Sequence, residues 1–100
     1  MNEGVLLLIV APDLEETMVD LLLEQPSLAG FTSSLVYAHG TGAGRLSMVE
    51  QVTGRQQKIQ LMVYGTRSVL ADFVTHIKAT FNHADIRTIL IPALDTQLME

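Results

Sequence analysis

The chain has no cysteine and only six lysine or arginine residues among its 100 residues. The absence of cysteine excludes disulfides, thiolate metal sites, redox pairs and thiol nucleophiles. The six bases stand against eleven acids, and the resulting formal charge of −5 disfavours nonspecific attraction to nucleic-acid phosphates. We therefore expect no nucleic-acid partner.

The chain also lacks a long hydrophobic run. Its apolar stretch from Val5 to Ala11 is too short to cross a bilayer and has no base before it, so we expect neither a signal peptide nor a membrane anchor. A cytoplasmic protein is predicted. With 48% apolar residues, a chain of this length fits a single domain, 1–100, that needs no disulfide or structural metal.

The first half of the chain predicts a strand followed by a helix. Residues 5–10 are continuously apolar, which is typical of a central strand buried on both faces. Asp13 and Glu16 form an N-cap pattern, and it predicts a helix from about Leu14 to Gln25, because Pro26 stops it.

The second half predicts two β-prone runs, a second helix and a last strand. The runs are residues 34–38 and 59–64, and residues 86–91 form the fourth strand. Between them, Thr66 or Ser68 can cap a helix. Its apolar stripe at helical spacing comprises Leu70, Phe73, Val74, Ile77 and Phe81.

The element order βαββαβ predicts an α+β, ferredoxin-like sandwich. Right-handed crossovers place strands one and three at the centre of a four-stranded antiparallel sheet, with both helices on one face. The other face of strand one then exposes three large aliphatic side chains. Their exposure costs about 5 to 9 kcal/mol, comparable with the stability of a domain, so we expect another subunit to cover this face.

The bases are concentrated in one part of the chain. Residues 1–44 contain six acids and no lysine or arginine. Residues 40–67 contain four bases, Arg45, Arg55, Lys58 and Arg67, and a single acid, Glu50. This pattern favours an anion near that stretch.

The second and third predicted strands are joined by an unusually long connection. Residues 40–57 number 18, whereas hairpin loops usually have two to five residues. The segment holds Gly40, Gly42, Gly44 and Gly54, four of the seven glycines. A glycine-rich loop of this length is either functional or a flexible hairpin tip, and we expect much of it to be mobile without a ligand.

Two motifs in this segment resemble those of known proteins. Gly42-Ala43-Gly44-Arg45 is similar to the Gly-x-Gly-Arg at the base of the T-loop in nitrogen regulatory PII signalling proteins. The stretch from Met48 to Arg55 resembles an uncharacterised PII-like family often encoded beside heavy-metal efflux systems. Over nearly its whole length the chain resembles the PII-like and CutA-like superfamily.

This resemblance implies a function as well as a fold. It implies a homotrimeric signalling protein that binds a small anion or a nucleotide between subunits and contacts a partner protein through the T-loop-like segment 40–57. Because the bases are concentrated in this stretch, the predicted ligand-binding residues are Gly42, Gly44, Arg45, Glu50, Arg55 and Lys58. Glu50 is alternatively an intersubunit ion-pair partner. Between the second helix and the fourth strand, where PII proteins carry phosphate-binding bases, this chain has Asn82-His83-Ala84-Asp85.

Catalysis and resident cofactors are not predicted. No serine, histidine and acid follow a nucleophile motif, so we expect no enzyme and no catalytic residue. His39, His76 and His83 form no recognised ligand pair, so no metal site is predicted. The alternative function is a metal-tolerance accessory protein that binds metal ions near His39 or docks on a membrane heavy-metal efflux transporter. A structural adaptor would bind neither metal nor anion.

Overall fold

The computed structural model describes residues 2–39, 55–82 and 84–99. The strands form one antiparallel sheet in the order β2-β3-β1-β4, which confirms the predicted ferredoxin-like α+β fold with strands one and three at its centre. The elements in chain order are β1 (Glu3–Val10), a 3₁₀ turn (Pro12–Leu14), α1 (Glu15–Leu23), β2 (Gly30–His39), β3 (Arg55–Thr66), α2 (Arg67–Thr80) and β4 (Arg87–Pro92).

The core lies between the sheet and the two helices. Side chains alternate across a strand, so every second residue of β1 points toward the helices. Leu6, Leu8 and Val10 are fully buried there. They pack in one cluster with Met18, Leu22, Ile59, Leu61, Val63, Leu70, Phe73 and Ile77.

Helix α2 begins and packs as its sequence predicts. The hydroxyl oxygen of Thr66 accepts a hydrogen bond from the backbone N–H of Val69 at 3.4 Å, which makes Thr66 the N-cap. The stripe residues Leu70, Phe73 and Ile77 are buried. No helix within the described ranges is long and apolar enough to cross a membrane.

Helix α1 is shorter than predicted at both ends. The expected cap at Asp13 is wrong, because Pro12 opens a 3₁₀ turn in which Asp13 already lies. The N-cap of α1 is Leu14, which makes no side-chain capping bond, and the helix ends at Leu23, three residues before Pro26. The turn itself is closed by a 2.9 Å bond from the N–H of Leu14 to the carbonyl oxygen of Ala11.

The hairpin of β2 and β3 is longer than predicted. Its ladder runs from Gly30 opposite Tyr64 to His39 opposite Arg55. Strand β1 pairs with β3 only as far as Ile59, so residues 36–39 and 55–58 continue beyond β1 as a two-stranded ribbon. The predicted loop bound at residue 57 is therefore wrong: residues 55–57 lie in β3, because polar side chains are readily accommodated on an exposed ribbon. Residues 40–54 lie outside the described ranges.

The sheet face opposite the helices, called the open face here, has an apolar half and a polar half. Strand register arranges its side chains in rows, each written from β4 to β2. Two rows form the apolar half: Ile91, Val5, Tyr64 and Gly30, then Ile89, Leu7, Met62 and Thr32. The next row, Arg87, Ile9, Gln60 and Ser34, begins the polar half.

Neither of the two described helices, α1 and α2, covers this face, as predicted. Val5, Leu7 and Ile9 are only partly buried in the single chain, in contrast to their fully buried neighbours on β1. On β4, Ile89 and Ile91 remain 38% and 42% exposed. The apolar half is thus a continuous surface that contact with another protein surface would bury.

Gly4 and its cross-strand partner Gly65 differ in the space around them, which predicts different effects of alanine. A Cβ at Gly4 would lie 2.9 Å from Arg67 Cγ and 3.2 Å from the Ile91 carbonyl oxygen, whereas at Gly65 the nearest atom would be 3.4 Å away. We expect Gly4→Ala to lower the free energy of unfolding by about 1–3 kcal/mol. Gly65→Ala should change it by less than about 0.5 kcal/mol. Urea unfolding measures both, and equal losses would contradict the packing described.

Candidate functional site

The end of the ribbon brings aromatic, basic and polar side chains together on one face. Register places Tyr37 opposite Gln57 and His39 opposite Arg55. The guanidinium carbon of Arg55 lies 4.1 Å from the centroid of the Tyr37 ring, a diagonal cross-strand contact. We call Tyr37, His39, Arg55 and Gln57 the ribbon site.

Stacking on Tyr37 leaves the donor groups of Arg55 usable. The guanidinium lies over the Tyr37 ring, and a guanidinium that stacks on a ring keeps its five N–H groups available in the plane of the fork. Arg55 is exposed, so a carboxylate or phosphate can approach these donors from solvent. Among the predicted ligand residues, Arg55 is therefore one whose side chain is accessible from solvent.

Lys58 lies on the opposite face of β3 from Arg55 and is 5% exposed. Its Nζ atom is 3.4 Å from Oδ2 of Asp85, a residue whose side chain is 56% exposed. Extending the register of β1 past its end places Lys58 and Asp85 on either side of Ala11, whose small side chain leaves room for the ion pair. Lys58 is therefore a strand residue that already has a carboxylate partner.

Gln56 adds a second polar group on the same face as Lys58. Its Oε1 atom is buried and accepts no hydrogen bond within the part of the chain that the structure describes. A buried amide without a partner costs about 1–3 kcal/mol. This side of the ribbon is therefore suited to a group that donates to Gln56.

The other predicted ligand residues cannot be compared with the structure. Gly42, Gly44, Arg45 and Glu50 lie outside the described residues. Sequence reasoning in turn missed Tyr37, Gln56 and Asp85. The position of Asp85 just before the fourth strand was a usable signal, because in a βαββαβ sheet that point lies beside the end of strand one.

Histidines within the described residues form no cluster that could hold a metal ion. Residues 2–39, 55–82 and 84–99 contain no group of three or more histidine, aspartate and glutamate side chains that could hold a metal ion. His76 lies on α2 with its ring centroid 6.4 Å from that of Phe73. His39 stands on the ribbon opposite Arg55, whose positive charge disfavours a cation there.

The sheet order, the helices on one face and the projecting hairpin form a fold that is also found in solved PII-like and CutA proteins. The fold matches the PII-like protein CutA from Nostoc sp. PCC 7120, with a TM-score of 0.67 and 14% identity over 91% of this chain and 81% of that one. It also matches the divalent cation tolerance protein CutA1 from Thermus thermophilus, with a TM-score of 0.68 and 16% identity over 95% and 87% of the two chains.

The chain belongs to the family described as "Protein of unknown function (DUF3240)", which matches residues 1–98. The crystal structure of a family protein from Shewanella baltica OS155 has a TM-score of 0.80 and 18% identity, covering 100% of this chain and 99% of that one. No curated protein matches the sequence.

The ion pair of buried Lys58 and exposed Asp85 predicts an asymmetric response to mutation. Asp85→Asn leaves the Lys58 ammonium buried without a counter-charge, so we expect it to lower the free energy of unfolding by about 1–2 kcal/mol. In a Lys58→Met background the same change should cost much less, because no charge is left unpaired. A double-mutant cycle by urea unfolding measures the difference. Equal costs in both backgrounds would show that Lys58 does not depend on Asp85.

Proposed function

We propose that the protein is a cytoplasmic PII-like regulatory module. In this proposal a homotrimer binds a small anion or a nucleotide at the ribbon site and reports its presence to a partner protein through segment 40–57. The observation that carries the proposal is the position of Arg55 over the Tyr37 ring. This contact lies at the end of β2 and β3, next to the most basic and glycine-rich part of the sequence. The proposed activity is binding, without catalysis.

The charge distribution supports an anionic ligand. Arg45 lies ten residues before Arg55 on the segment that the ribbon carries, and Gly42 and Gly44 beside it suit backbone approach to a phosphate or carboxylate. Glu50 is the single acid of the segment and a candidate ligand contact or intersubunit ion-pair partner. Lys58 contributes if the ligand displaces Asp85 or joins the pair.

The open face supports an oligomer. Its apolar half joins side chains from β1, β3 and β4 into one surface, and the neighbouring row adds Arg87 and Gln60 as a polar rim. A surface of apolar centre and polar rim is typical of a subunit interface. Assembly through this face would place ribbons of neighbouring copies near one another, with the proposed cleft between them.

Replacing the ribbon-site arginine should weaken binding without unfolding the protein. We expect Arg55→Ala to reduce the affinity for ATP or inorganic phosphate by about 10- to 100-fold, because one charge-assisted contact is lost. The melting temperature should stay nearly unchanged, since Arg55 is exposed. Isothermal titration measures the affinity, and thermal denaturation measures the stability.

Two further variants test whether the loss of affinity is specific to the ribbon site. Lys78→Ala removes the same charge from the last turn of α2, outside the ribbon site, and should leave affinity within about twofold. Tyr37→Leu removes the stacking surface, so a loss comparable to that in Arg55→Ala would support positioning of the guanidinium. Undiminished anion binding by Arg55→Ala would contradict the ribbon site.

The assembly is tested separately by light scattering. A mass of three chains at micromolar concentration is expected. A stable monomer under these conditions would contradict the proposed trimer, whatever the titrations show.

The second candidate function is metal tolerance. It is favoured by the fold shared with the CutA1 protein named for divalent cation tolerance, and His39 at the ribbon end is its candidate ligand. Docking on a membrane efflux transporter belongs to the same candidate. Titration with Cu²⁺ and Zn²⁺ separates the two functions: tight metal binding that His39→Ala abolishes, with no binding of anions, would favour this one.

A further inference from the structure

The chain ends in a segment whose large apolar side chains lie almost entirely in solvent. We call residues 93–99 the C-terminal arm. It is rooted by a 3.1 Å hydrogen bond from the N–H of Ala93 to the carbonyl oxygen of Glu3, and no helix or strand follows within the described ranges. Leu94, Leu98 and Met99 are 95%, 84% and 83% exposed, more than any other large hydrophobic residue that the structure describes.

The arm lies beside the apolar half of the open face. Thr96, Gln97 and Leu98 border a groove of about 480 Å³. The remaining walls of this groove are Val5, Ala29, Gly30, Phe31 and Tyr64. The arm therefore stands at the rim of an apolar groove, with its own apolar side chains directed to water.

The arm leaves part of its own sheet uncovered. Ile89 and Ile91 of the apolar half keep 38% and 42% of their surface exposed with the arm in place. Because Leu94, Leu98 and Met99 are exposed at the same time, a single chain leaves two complementary apolar surfaces unburied. The exposed side chains of the arm and the exposed apolar half of the open face are thus present in the same molecule.

We propose that the C-terminal arm of one copy packs on the apolar half of the open face of a second copy. This inference rests on the proposed assembly and adds the segment that holds it together. Each copy donates one arm and receives one, and such a head-to-tail contact closes into a ring when the rotation between copies allows it. A trimer of this kind uses every arm.

The length and the charge of the arm fit this role. Seven extended residues span about 23 Å, whereas the four strands of a sheet lie about 14 Å from first to last. The arm has one charged side chain in its described part, Asp95, which accepts a hydrogen bond from Gln97. Arg87, which borders the apolar half, has the opposite charge and can receive Asp95 from the second copy.

Substitution in the arm tests the proposal in the full-length protein. The triple variant Leu94→Ser, Leu98→Ser, Met99→Ser should raise the concentration of half-dissociation by at least about 100-fold in sedimentation experiments, since three buried side chains are lost. The control Leu23→Ser removes an exposed leucine, 70% accessible on α1, and should leave dissociation unchanged. Circular dichroism should show the same fold for all three proteins.

Cross-linking identifies which surface the arm contacts. The chain contains no cysteine, so introduced cysteines react only with each other. A Leu98→Cys protein mixed with a size-tagged Ile89→Cys protein should give a disulfide-linked heterodimer on mild oxidation. A Leu23→Cys protein in place of the arm variant should give none.

The possible outcomes separate this inference from the proposed function. An intact oligomer in the triple variant, with no arm-to-face cross-link, would overturn the role of the arm and leave the assembly standing. A cross-link that forms only within a Leu98→Cys, Ile89→Cys double variant would assign the arm to its own sheet and also overturn the proposal. A monomeric wild-type protein would overturn both the assembly and the arm's place in it.

Discussion

Strand β1 is paired along both edges and carries large aliphatic side chains on both faces. It bonds to β3 and to β4 over almost its whole length, so its backbone is satisfied inside the sheet. Burial of Leu6, Leu8 and Val10 under the helices stabilises the fold by about 1.5–3 kcal/mol for each side chain. Two helices can cover only one face of one sheet. Burial of the open face, and the stability that this burial adds, therefore depends on the surface that packs against it.

The open face changes from apolar to polar along the direction of β1. Near the chain termini it is apolar and lies beside the C-terminal arm, whereas toward the ribbon it becomes polar and carries the Lys58–Asp85 pair. In the proposed assembly, contact between subunits belongs to the first region and ligand chemistry to the second. The ribbon site lies on the opposite face of β3 from the Lys58–Asp85 pair.

The fold followed from sequence because local patterns and topology agreed. The continuous run of β1, the stripe from Leu70 to Ile77 and the cap at Thr66 each have one structural solution. The ends of the helices and strands were less predictable. Polar residues 55–57 have no pattern that distinguishes a strand from a loop, and their pairing with β2 depends on a partner distant in sequence. Asp85 and Tyr37 acquire their roles only through contacts with Lys58 and Arg55, which the sheet creates.

The ladder that joins β2 to β3 has ten residue pairs, from Gly30 and Tyr64 to His39 and Arg55. Such a ladder fixes the distance between residues 39 and 55 whatever residues lie between them. Loop-closure entropy grows slowly with length, by about 0.6 kcal/mol for each doubling. Insertions, deletions and substitutions between these positions therefore destabilise the fold little. Members of one family can differ there in ligand and partner while the rest of the chain stays constrained.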